Sequence, residues 1–100
     1  MTSDTDAMTT EQRLSARITG RVQGVGFRHF TTTRARKLGL TGWVRNEPDG
    51  SVRLEAEGPK DGLDRLLDAV HEGPRSANVD NVSADYVDPD GAFEGFRVRR

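Results

Sequence analysis

The sequence contains no cysteine. Disulfides, thiolate metal sites and a cysteine nucleophile are excluded together, and the absence suits a cytoplasmic protein. Lysine is scarce: of 15 basic residues only Lys37 and Lys60 are lysines. A strong net charge is missing as well. The formal value is −1 and the pI is about 6.1. That argues against a broadly basic nucleic-acid binder and leaves room only for a local patch. No stretch approaches the ~18 apolar residues of a membrane span. The opening MTSDTDAMTTEQR lacks the apolar segment of a secretory signal. Residues 1–12 read as a flexible tail, with Met8 an alternative start to Met1. The remainder, 13–100, fits one domain that can bury a core without staples.

What is present is periodic. Leu14, Ala16 and Ile18 alternate with Ser15, Arg17 and Thr19, a strand with one polar face. From Phe27 the period lengthens, and Phe27, Phe30, Ala35 and Leu38 share a helical face. Arg36 and Lys37 suit the last turn, and Gly39 can cap it. Residues 40–46 read as a strand, EPDG as a turn, and residues 51–57 as its hairpin partner. Gly58-Pro59 opens a second helix, with Pro59 at its first position. Leu63, Leu66, Leu67 and Val70 mark its buried face, and Gly73-Pro74 ends it. Val82, Ala84 and Tyr86 alternate in a fourth strand, and Phe96 and Val98 make a short last one. The order βαββαβ plus a terminal strand predicts an α+β, ferredoxin-like sandwich. Two helices would cover one face of a mainly antiparallel sheet, with water on the other.

The segment GRVQGVGFRHF, Gly20 to Phe30, joins the first strand to the first helix. It is neither a P-loop, since no Gly-Lys pair exists, nor a dinucleotide fingerprint, since His29 stands where a third glycine belongs. A glycine-rich turn nevertheless lets successive N–H groups face inward as a nest for an anion. A helix N-terminus adds free donors and partial positive charge, and Arg28 adds a planar fork matched to two phosphate oxygens. The same residues also suit a plain tight turn with an exposed arginine. Asn46 ends the second strand. In a right-handed β-α-β crossover both strands run the same way, so Asn46 and the glycine loop fall on one sheet edge. Its neutral amide can orient a water there, although asparagine is also common at a turn entry.

Taken together, GRVQGVGFR, GWVRN followed by PDGSV, and EGP before the second helix resemble the acylphosphatase family from about residue 14 to the end. The resemblance implies metal-free, cofactor-free hydrolysis of carboxyl-phosphate anhydrides to a carboxylate and inorganic phosphate. It matches Arg28 to the family's substrate-binding arginine and Asn46 to the asparagine that positions the attacking water. It matches the backbone of Gln23, Gly24, Val25, Gly26 and Phe27 to the phosphate cradle. Many members carry threonine after that asparagine; here Glu47 places a carboxylate beside the expected site. A small acyl phosphate would be the partner of a monomer that binds neither nucleic acid nor membrane. An acyl phosphate is already activated, so positioning and electrostatics would do most of the work. With no protein base evident near the loop, the substrate's phosphate is expected to take the water's proton.

Other residues read more plainly. His29 lies about 100° round the helix from Arg28 and suits the surface. His71 suits a helix C-terminus. Trp43 alternates with Val44, and packing under a loop is expected of it. Arg45, Arg97, Arg99 and Arg100 read as solvated strand or tail residues, with attraction of an anionic substrate a minor alternative role for the last three. DPDG, Asp88 to Gly91, lacks the further ligands of a calcium loop and reads as a turn. Two other functions compete. The cradle could hold phosphate without turnover, as in the acylphosphatase-like front domain of larger, cysteine-rich carbamoyl-transfer maturation proteins. The sheet could also bind RNA through exposed aromatics, but its polar face shows Arg17, Thr19, Arg53 and Glu55 and no aromatic pair.

Overall fold

A computed structural model describes residues 11–100. Of the anticipated tail, residues 1–10 lie outside the described residues, while Glu11 and Gln12 already belong to the first strand. The elements are β1 (Glu11–Arg21), α1 (Phe27–Lys37), β2 (Thr41–Asn46), β3 (Val52–Pro59), α2 (Lys60–Glu72), β4 (Asn78–Val87) and β5 (Phe96–Val98). They build one mixed sheet in the order β4-β1-β3-β2-β5. β1 and β2 each pair antiparallel with β3, so they run parallel to one another with β3 between them. This is the split β-α-β arrangement, and it brings the C-terminal ends of β1 and β2 to one edge. The short β5 pairs parallel with β2, Gly42 opposite Phe96 and Val44 opposite Val98.

The strand alternation explains the core. Leu14, Ala16 and Ile18 of β1, Val44 of β2, and Val52, Leu54 and Ala56 of β3 point one way and are buried with Phe96. Phe27 and Ala35 of α1 and Leu63, Leu66 and Val70 of α2 complete the layer, with Leu67 at its margin. Truncating one of these leucines to alanine would cost about 2–5 kcal/mol. Gly42 shows how close the strands lie: a Cβ there would stand 1.9 Å from the Glu55 carbonyl oxygen.

Two expectations about the helices need correction. Phe30 is only half-buried, because the inner face of α1 is completed by Thr31 and Thr32 instead. Their hydroxyls donate to the carbonyls of Phe27 (2.9 Å) and Arg28 (2.8 Å), which makes burial of a polar side chain affordable. Pro59 is the N-cap of α2, one residue before its first helical position, and its extended ψ lets β3 run straight into the cap. α1 ends as anticipated. Gly39 turns left-handed at φ 71°, its N–H donates to the Arg36 carbonyl, and that of Leu40 donates to Ala35. These paired bonds close a Schellman motif.

The segment after β4 is tied down by a buried carboxylate. Glu57 accepts from the N–H groups of Asp90 (3.0 Å) and Gly91 (3.1 Å) and lies beside Arg13. This fixes the DPDG loop against β3 and directs the chain into β5, next to the edge where Asn46 ends β2.

Candidate active site

β1 delivers the glycine loop, and the loop delivers α1. Gly24 and Gly26 have φ of 75° and 80°, left-handed values that glycine adopts at little cost. An added Cβ at either would meet no protein atom within 4 Å. The conformation therefore shapes the path of the backbone and does not relieve crowding. Gly26 is the N-cap of α1, contributes no side-chain cap, and no acidic residue sits in the first turn. The Phe30 N–H is the first to bond back, to the Gly26 carbonyl at 3.0 Å. Among the described residues, no protein acceptor takes the N–H groups of Gln23 through His29. A row of free donors with the helix dipole behind it is an anion seat.

The loop is held by a side chain that sequence reasoning counted only as backbone. The amide nitrogen of Gln23 donates to the carbonyls of Glu47 and Ser51, both at 2.8 Å. One residue thus ties the glycine loop to both ends of the β2–β3 turn. That turn is closed by the Glu47 N–H on the Ser51 carbonyl (2.8 Å) and the Gly50 N–H on Glu47 (3.1 Å). Asp49 caps it by accepting from the Ser51 N–H and hydroxyl, and those bonds, helped by Arg17, hold its carboxyl below the usual range.

Asn46 immediately precedes this turn. It shares the face of Val44, toward the helices, and pairs with Val52. Its Oδ1 is buried without a hydrogen-bond partner, the one such side-chain atom among the described residues. An orphaned buried acceptor costs about 1–3 kcal/mol, which makes it a marked position. It borders a cavity of about 580 Å³ shared with Gly24, Gly26, Arg28 and His29. Arg28, one turn-position into α1, has no carboxylate partner among the described residues, and no Asp or Glu lines the cavity. The predicted pair, Arg28 and Asn46, thus comes together around the loop. Of the other predicted loop residues, Phe27 borders the cavity although it belongs to the core, whereas Gln23 and Val25 do not line it.

A sequence model of the acylphosphatase family matches residues 14–98. The chain belongs to the acylphosphatase family. An acylphosphatase of Salinibacter ruber is 71% identical over 91 residues, covering 91% of this chain and 96% of that one. The crystal structure of acylphosphatase from Bacillus subtilis superposes with a TM-score of 0.86 at 35% identity, covering 89% of this chain and 99% of the other. Full-length HypF, solved in a phosphate- and nucleotide-bound form, superposes at 0.81 and 25% identity over 92% of this chain, but only 12% of its own length is involved. The chain is accordingly an enzyme of the class that acts on acid anhydrides.

Against the family pattern, Glu47 departs less than its position suggested. It does not line the cavity. Its carboxylate accepts from Arg45 Nε at 2.5 Å, on the open side of the sheet opposite Asn46. Arg45 is therefore not a free surface residue, and it also lies 4.8 Å from the Trp43 ring centre. Arg99 stacks on the same ring at 5.0 Å. Trp43 is buried on the open face, where two guanidinium groups lie over its ring and the loop of Gly91 to Glu94 borders it, as expected from sequence. His29 is exposed and stands at the cavity mouth.

Proposed function

We propose that this acylphosphatase-family enzyme binds the phosphoryl group of an acyl phosphate in the glycine loop and directs a water onto it from Asn46. The N–H groups from Gln23 to Phe27 surround the equatorial oxygens, and the Arg28 fork takes two of them. Water attacks phosphorus as the bond to the carboxylate oxygen breaks, which releases carboxylate and inorganic phosphate. The observation that carries this reading is Asn46 Oδ1: a buried, unpartnered acceptor on the same cavity as Arg28. A water O–H is the donor it lacks, and accepting that hydrogen bond would turn the oxygen lone pair toward the phosphate. The phosphate itself takes the proton, because no Asp or Glu among the described residues lines the cavity.

The open sheet face supports a small substrate over RNA. Trp43 lies between Arg45 and Arg99, and Phe93 lies under Arg13 at 4.5 Å, so these rings are already stacked. We place the enzyme in the cytoplasm as a monomer, working without metal or other cofactor. No helix among the described residues is long and apolar enough to cross a membrane.

Benzoyl phosphate hydrolysis, followed by absorbance in the presence of chelator, tests the proposal. Arg28→Ala and Asn46→Ala should each lower kcat/KM by ~10²–10³, the usual cost of one preorganised group. Turnover indifferent to both substitutions would sink the assigned roles. Strong inhibition by chelator would contradict the metal-free chemistry alone.

A further inference from the structure

The cavity at the glycine loop has a floor and a rim. The floor is buried: Val22, Phe27 and the orphaned Oδ1 of Asn46. The rim is exposed, and on the loop side it consists of Gly24, Gly26 and His29. The glycines offer no side chain. His29 is therefore the one side chain that this part of the rim presents to a group leaving the seat. None of the hydrogen bonds or ion pairs among the described residues engages its ring. The phosphate seat, Arg28 and Asn46 leave it without a task.

The direction of the ring follows from the helix. Phe27 points into the core. Each helical residue turns the chain by about 100°, so Arg28 stands about 100° from Phe27 and His29 about 200°. Arg28 thus faces sideways to the seat, and His29 faces outward, away from the sheet. In-line displacement decides what meets it. The attacking and leaving oxygens stand on opposite sides of phosphorus. With the water on Asn46, at the floor, the carboxylate oxygen leaves toward the rim. Val98 and its β5 neighbours on the rim continue the sheet layer of β2 and lie on the water's side. Arg36 is about two helical turns farther along α1.

We infer that His29 is a further catalytic residue, whose imidazole N–H donates to the carbonyl oxygen of the acyl group as that group becomes a carboxylate. This rests on the acyl phosphate reading of the seat and completes it on the leaving side. As the P–O bond breaks, its electron pair moves onto the acyl part and is shared by the two carboxylate oxygens. A donor at the carbonyl oxygen stabilises that charge, which is larger in the transition state than in the bound substrate. No proton is transferred: the carboxylate leaves as the anion, and the water's proton stays with the phosphate. Neutral and cationic imidazole both keep an N–H, so either form serves. At an exposed position one such bond is worth about fivefold in kcat/KM.

The test uses the full-length protein and a series of benzoyl phosphates with different meta and para substituents. The measured quantity is the slope of log kcat/KM against the pKa of the benzoic acid released. His29→Phe keeps a ring and removes the donor; His29→Gln removes the ring and keeps a donor. Both change an exposed position, and circular dichroism would check the fold of each. His29→Phe should lower kcat/KM for benzoyl phosphate about fivefold. It should also steepen the slope, because the leaving group then carries its charge unaided. His29→Gln should stay within about twofold of the parent. Competitive inhibition by inorganic phosphate should be unchanged in both, since the ring touches the acyl part alone. An unchanged slope in His29→Phe, or equal losses in the two variants, overturns the assignment while leaving hydrolysis intact. So does weaker phosphate inhibition in His29→Phe, which would put the ring on the seat. Failure of the parent to hydrolyse benzoyl phosphate would instead count against the acyl phosphate reading itself.

Discussion

Replacing Gln23 by methionine should slow catalysis far more than it loosens the fold. The substitution keeps the length and most of the volume of the side chain and removes only its donors. Two hydrogen bonds of 2.8 Å are lost, to the carbonyls of Glu47 and Ser51. Neither carbonyl is orphaned. Ser51 still accepts from the Glu47 N–H and Glu47 from the Gly50 N–H. The cost is then the net value of two ordinary bonds, ~1–3 kcal/mol together, and not the larger cost of buried unpaired groups. In a domain of this size that lowers Tm by ~5–20 °C and leaves the protein folded at 25 °C. The catalytic loss has another origin. Gln23 sets the spacing between the phosphate seat and the turn that follows Asn46, so its removal lets seat and water drift apart. A displacement of about 1 Å can cost 10²-fold, and kcat/KM for benzoyl phosphate should fall by about that factor, mostly in kcat. Thermal melting followed by circular dichroism would establish the folded range, and steady-state kinetics within it would measure the rest. A variant with the full drop in Tm but kcat within about threefold of the parent would refute the reasoning. The clamp would then serve the turn alone.

Three further outcomes follow from the same geometry. Gly24→Ala and Gly26→Ala add ~1–2 kcal/mol of left-handed strain without a clash, so both should fold and lose activity well beyond their loss of stability; Gly42→Ala, with its Cβ 1.9 Å from the Glu55 carbonyl, should not fold, which soluble expression and circular dichroism would show. Glu47→Thr should leave kcat/KM within about twofold and cost at most ~1 kcal/mol in urea unfolding, the value of a surface pair, because the carboxylate is on the far side of the sheet from the cavity. Asp64 is held below the usual carboxylate range by the Tyr86 hydroxyl and then by Lys60, and Asp90 by the Ala92 N–H and then by Arg13. A lowered folded-state pKa stabilises above the unfolded value of ~3.9 and is lost as pH falls through the folded one, so urea midpoints should drop below about pH 4, less steeply in Asp64→Asn.

Much of this site was legible because its parts follow simple periods. The change from alternation at 14–19 to a helical face at Phe27 located the loop between them. Three glycines in that loop announced a backbone conformation closed to other residues, and Gly24 and Gly26 have it. Asn46 could be placed opposite the loop from topology alone, since a right-handed crossover leaves little choice of edge. What the residues could not reveal was the orphaned state of Oδ1, which depends on everything packed around it. Nor could they reveal the clamp. Gln23 bonds to carbonyls 24 and 28 positions away, and backbone carbonyls carry no residue-specific signal. Arg36 read only as a last-turn cation, because its bond to the Phe96 carbonyl spans 60 positions and leaves no trace in the residues.

Glu47 shows why adjacency in the chain misled where adjacency in space would not. A carboxylate next to the water-positioning residue looks like a threat to anion binding. On a strand, however, successive side chains leave opposite faces of the sheet. The pleat that turns Asn46 toward α1 turns Trp43 and Arg45 the other way, and Glu47 joins them through its bond to Arg45. The cavity side of β2 is therefore set by Val44 and Asn46, and the open side by Trp43, Arg45 and Glu47. A negative charge at 47 is tolerated because the sheet stands between it and the phosphate, and because Arg45 neutralises it there. Removing Arg45 would free the carboxylate but could not carry it through the sheet, so activity should respond to charge at position 46 and hardly at 47.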